Sequence, residues 1–138
     1  MSHVGFSREG WETFRNSNRP GPIHMLNLVA LHDVAVYEDG TTTTGAEAYA
    51  AYGRLSGPVL ERVGGRIVWR GAMEQMLIGP LEEQWDHCFV AEYPSVDAFV
   101  AMQRDAEYKL AVPHRTAGVR DSRLIRLMPL PPGEGFGG

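Results

Sequence analysis

Tyr93-Pro94-Ser95 divides the stretch that most constrains this chain, Trp85 to Leu127, which reads as strand, helix, broken helix and strand. Pro94 cannot extend the apolar run before it, and Ser95 can cap a following helix by accepting a hydrogen bond from an orphan amide. Before the break, Trp85, His87, Phe89, Ala91 and Tyr93 alternate with Asp86, Cys88, Val90 and Glu92, the period of a strand with two distinct faces. After it, Val96, Phe99, Val100 and Met102 gather on one side of a helix. Asp105 can cap a second helix from Ala106, and Pro113 is expected to disturb its continuation through His114-Arg115. Ser122 to Leu127 is the closing strand.

Upstream, Ser7 can cap a short helix to Asn16 that carries Trp11 and Phe14 on one side, and Arg19-Pro20-Gly21-Pro22 then breaks the chain. Ile23 to Leu31 reads as a buried strand, apolar on both faces except for His24 and Asn27. Residues Val34 to Thr44 place β-rich arms around Asp39-Gly40, a pair suited to a type I′ hairpin turn. From Ala46 to Val63 the spacing of Tyr49, Tyr52, Leu55, Val59 and Val63 predicts a helix, kinked or divided at Gly57-Pro58 and stopped by Gly64-Gly65. Arg66 to Arg70 begins a strand expected to resume through Met76-Leu77-Ile78, and Pro129 to Gly138 is a tail without periodic pattern.

The order β, α, β, β, α, β predicts an α+β class: a ferredoxin-like protomer with two helices on one face of a four-stranded sheet. The first and third strands are apolar on both faces, so the second face needs a cover, and a twofold-related copy would supply it by closing a barrel between two sheets. The expected organisation is an N-terminal extension over residues 1–20, one domain over 21–128 and a tail over 129–138.

Met25-Leu26-Asn27-Leu28, Gly64-Gly65-Arg66, Glu92-Tyr93-Pro94-Ser95, Asp105-Ala106-Glu107-Tyr108, His114-Arg115 and Asp121-Ser122-Arg123-Leu124-Ile125 occur together in this chain. In these motifs the stretch from Gly21 to Leu127 resembles a family of uncharacterised domains within the dimeric α/β-barrel superfamily. The resemblance implies a ferredoxin-like protomer and a homodimer, but no particular activity. The superfamily includes cofactor-free monooxygenases, small dehydratases and isomerases, and haem-binding relatives, so one fold carries several chemistries.

A chain of 138 residues suits one domain with a real core. Its single cysteine, Cys88, excludes an internal disulfide, and nothing near the start resembles a signal peptide, so a cytoplasmic location is expected. No apolar run approaches the roughly 18 residues of a membrane span, and a net charge of -4 argues against a general nucleic-acid binder. The charge is uneven. Between Arg104 and Arg126 six basic residues face three acidic ones, leaving +3 in a region that could attract a carboxylate.

Asn27 is the first candidate for contact with a small organic ligand, because its amide lies among apolar neighbours and must find partners; fixing the backbone is the alternative role. Tyr52, with Tyr49, can pack its ring and offer a hydroxyl at a cavity edge. His114 and Arg115 are the catalytic candidates, an imidazole for proton transfer and a guanidinium for a carboxylate or enolate; an ion pair from Arg115 to Asp86 or Asp121 is the alternative. Asp86 and His87 point to opposite strand faces and cannot easily form a dyad. The histidines lack metal-ligand spacing, so no metal and no cofactor is expected. The resulting expectation is a small-molecule-binding homodimer with its pocket inside the barrel, catalysing cofactor-independent proton transfer or oxygenation. A non-catalytic dimer closed by Trp69, Trp85 and Phe89 is the alternative.

Overall fold

The computed structural model describes residues 2–138. In chain order these form α1 (Arg8–Asn16), β1 (Ile23–Leu31), β2 (Val34–Val36), β3 (Thr42–Thr44), α2 (Gly45–Arg62), β4 (Arg66–Gly71), β5 (His87–Tyr93), α3 (Val96–Arg104), α4 (Ala106–Gly118) and β6 (Val119–Leu127). The principal sheet is antiparallel with order β4-β5-β1-β6. That order and the intervening helices are those of a ferredoxin-like βαββαβ unit, an α+β fold, with β2 and β3 inserted as a separate hairpin.

Local chemistry accounts for most boundaries. Ser7, Thr44, Ser95 and Asp105 cap the four helices, each accepting from amides of the following turn. Asp105 also takes a 2.7 Å bond from Arg62, tying the end of α2 to the start of α4. At the other end of this helix pair, a Cβ on Gly118 would lie 3.0 Å from the Gly45 carbonyl oxygen and 3.1 Å from Ala48 Cβ, so the glycine permits the close approach.

Four expectations are corrected. α2 is not divided at Pro58 but runs through it as one helix, since proline's missing amide costs it one hydrogen bond while the helix is held on both sides by packing. α4 likewise continues through Pro113 to Gly118. The hairpin turn is not type I′: Asp39 keeps a negative φ, and only Gly40 enters the left-handed region, at +88°. Asp39 Oδ1 instead accepts from the Thr41 amide and hydroxyl, and the strands are joined by Tyr37 to Thr41. Met76 to Ile78 forms no strand; Leu77 and Ile78 stand 80% and 92% exposed in the connection between β4 and β5.

The core is divided. The main cluster joins Ile23, Met25, Ala91 and Tyr93 of the sheet with Val59, Phe99, Met102 and Tyr108 of the helices. A smaller one packs Ala35, Ala48 and Ala117 beside Tyr37 at the opposite end. Helices α2 and α4 lie against each other between these clusters, and the middle of the sheet beneath them is not filled. No helix among the described residues is long and apolar enough to cross a membrane.

Candidate functional site

A cavity of about 1270 Å³, open to solvent along part of its boundary, lies between the sheet and the helices of a single chain. Ordinary small-molecule sites span roughly 300–1,000 Å³. Its cause is written along α2. The face that looks at the sheet carries Tyr49, Tyr52, Gly53, Ser56 and Gly57, and the three small residues leave space where larger side chains would reach the strands. Below them the row Arg70, Phe89, Asn27 and Leu124, read across β4, β5, β1 and β6, forms part of the floor.

The cavity therefore lies on the helix-covered face. The expected pocket, enclosed between two sheets, would be bounded by the opposite face, where Trp69, Val90, Leu26 and Ile125 form the corresponding row. Both faces of β1 are apolar, so strand parity alone does not say which one the helices cover.

Three of the four candidate residues converge on the cavity. Asn27 Nδ2 donates to the Met25 carbonyl at 3.0 Å, and no protein donor reaches its Oδ1 among the described residues. The Tyr52 hydroxyl lies 2.9 Å from that of Tyr108. Arg115 donates to the Val4 carbonyl and, at 3.3 Å, to Ser122 Oγ. It pairs with neither Asp86 nor Asp121: Asp86 accepts from the Leu31 amide, and Asp121 is engaged by Arg123 and the His3 amide. His114 does not join the cavity. Its Nδ1 is 2.7 Å from the Tyr37 hydroxyl, and the two rings meet edge to face beside the hairpin. Because α4 continues through Pro113, consecutive residues diverge by about 100° around the helix, and His114 and Arg115 face different surroundings.

Other lining residues went unassigned in the sequence. The His87 imidazole lies over the Tyr49 ring, with centroids 4.8 Å apart. Burial lowers its pKa; Asp86 opposes that shift and Arg70 adds to it. Alternation with Phe89 and Ala91 did place His87 on this face, yet discounting a dyad with Asp86 removed it from the candidates. Burial pushes the Tyr49 phenol up to about 12, against the nearby positive charge of Arg115, and raises Tyr52 well above its ordinary value. Both are neutral hydroxyls at physiological pH and hydrogen-bond donors rather than phenolates.

The N-terminal segment is a wall of the cavity. Phe6, Trp11 and Phe14 pack on one another and on Phe99, with the Phe14 and Phe99 centroids 5.0 Å apart. The His3 carbonyl accepts from Ser122 Oγ at 2.7 Å, while Arg126 donates to the Ser17 carbonyl at 2.7 Å and lies over the Phe14 ring. Nothing in residues 3–17 alone reveals these long-range partners, because they are backbone carbonyls meeting Ser122 and Arg126 more than a hundred residues away.

Comparison with known proteins gives no activity. No curated protein matches. A crystal structure of methylated RPA0582 protein shares 62% identity, covering 96% of this chain and 98% of that one, with a TM-score of 0.94. A second crystal structure, of the RPA0582 protein of unknown function from Rhodopseudomonas palustris, shares 61% identity over 96% of this chain and all of that one, with a TM-score of 0.92. An uncharacterised NIPSNAP-like domain protein from Burkholderia xenovorans is similar in fold alone, at 14% identity, 83% and 90% coverage and a TM-score of 0.51. Residues 40–127, more than half of the sequence, match the model described as domain of unknown function DUF1330, and the chain belongs to that family.

Proposed function

We propose that this protein binds a small, largely apolar organic molecule in the cavity between its sheet and helices, as a homodimer closed through the uncovered sheet face. The cavity itself carries this reading: apolar walls from Phe89, Leu124 and Val112 surround a few polar groups from separate elements, Asn27, Tyr52 and Arg115. The supporting observation for the dimer is the opposite sheet face. Trp69 is 52% exposed and Ile125 45%, with Leu26 and Val90 half-buried between them, a contiguous apolar surface of the kind that marks an interface. Two such faces meeting would form a dimeric α/β barrel. Any chemistry would be cofactor-independent, proton transfer or oxygenation, with the ligand held by these polar groups.

One observation favours a second, non-catalytic reading. The Asn27 amide, the Tyr52 hydroxyl and the Arg115 guanidinium each already have a partner within the chain, as groups with a purely structural role would.

Gentle-ionisation mass spectrometry of freshly purified protein, with the neutral arene N-phenyl-1-naphthylamine as added probe, separates the two. The proposal predicts a dimer with one small molecule or probe per chain. It also predicts that Asn27→Ala and Arg115→Ala each weaken retention by about tenfold, the effect of losing one hydrogen bond to a polar ligand group. Variants that retain the molecule like wild type would refute the assigned contacts, an empty dimer would support the structural reading, and a monomer would refute the covered sheet face.

A further inference from the structure

We infer that the ligand of this cavity is an organic anion, a carboxylate or sulfonate on an apolar body, with its charged group seated on Arg115 beside the Tyr49 hydroxyl. The inference rests on reading the cavity as a ligand site. Its ground is a one-sided charge distribution. Among the described residues five arginines line the cavity and no aspartate or glutamate does. Arg123 is neutralised by Asp121, 2.8 Å away. Arg19, Arg70, Arg115 and Arg126 have no carboxylate partner among the described residues.

Like charges gathered around one cavity repel one another, and an anion placed among them relieves that cost. The mutual repulsion is visible where burial and the charge of Arg19 both lower the pKa of Arg126.

Arg115 is the best placed of the four. It projects from α4, half-buried, with its positive charge felt at the hydroxyls of Tyr49 and Tyr52 on the facing helix. Its present acceptors, the Val4 carbonyl and Ser122 Oγ, are neutral. A carboxylate would substitute charge-assisted, bidentate bonds, roughly twice as strong as bonds between neutral groups. The Tyr49 hydroxyl has no hydrogen-bond partner among the described residues and stays protonated, so it can donate to the same anion.

The test compares two fluorescent probes of similar aromatic frame, 8-anilinonaphthalene-1-sulfonate and neutral N-phenyl-1-naphthylamine, titrated into the intact protein at low and high salt. The expected result is one site per chain for each, with the sulfonate bound about tenfold more tightly at low salt and losing that advantage at high salt. Arg115→Gln, which keeps a donor for the Val4 carbonyl, should abolish the preference, costing the sulfonate about tenfold more affinity than it costs the neutral probe. Equal affinity of the wild type for both probes, or an equal loss of both in Arg115→Gln, would overturn the anion assignment while the cavity reading stands. If neither probe binds, the cavity reading itself fails. Should Arg115→Gln not fold, the salt dependence in the wild type decides alone.

Discussion

His87 shows how a residue's surroundings set its chemistry. Stacked on Tyr49 and partly desolvated, its imidazole holds a proton less readily in the folded protein than in the unfolded chain. The unfolded state therefore binds the additional proton as the pH falls below about 6.5, and folding stability is lost through that window down to the folded-state value. Histidine ring NMR should find the His87 midpoint below that of an exposed histidine. Chemical denaturation at mildly acidic and mildly alkaline pH should show a smaller stability difference in His87→Gln than in wild type; an equal difference would refute the assigned shift. Asn27 and Tyr52 were legible in the sequence because each is a polar group on an otherwise apolar face. His114 lies away from the cavity: Pro113 was expected to disturb α4 at this point, and in a continuous helix its neighbour Arg115 cannot share its direction.

At the scale of elements, α2 makes the cavity by what it lacks. Gly53 lies on the lining stripe, and a Cβ there would meet no atom within 4 Å. Gly53→Ala should therefore raise stability by about 0.5–1 kcal/mol through helix propensity alone and leave probe binding intact. Gly53→Phe should fold as well as wild type and exclude N-phenyl-1-naphthylamine, because the ring enters the space the probe needs. Retained binding in Gly53→Phe, measured by fluorescence titration, would move the site elsewhere. The caps at Ser7, Ser95 and Asp105 were readable because capping depends on a few adjacent residues. The role of α1 was not. Its Trp11 and Phe14 signal an amphipathic helix, while the surface they cover, Phe99 and the cavity wall, is set by packing across the chain.

For the whole molecule, the sheet order and helix placement followed from element order, since short connections and right-handed crossovers leave few alternatives. Which sheet face holds the pocket did not follow, because β1 presents apolar side chains to both and the void depends on small residues in α2 meeting mid-sheet positions in three dimensions. The central claim is that a ligand lies between sheet and helices, and alternation along the strands makes it directly testable. Side-chain NMR during titration with N-phenyl-1-naphthylamine distinguishes the two faces of one sheet in one experiment. The Asn27 side-chain amide and Leu124 methyls should shift while the methyls of Leu26, Val90 and Ile125 stay in place. Shifts confined to Leu26, Val90 and Ile125, with Asn27 and Leu124 unmoved, would put the ligand on the opposite face and contradict the site described above.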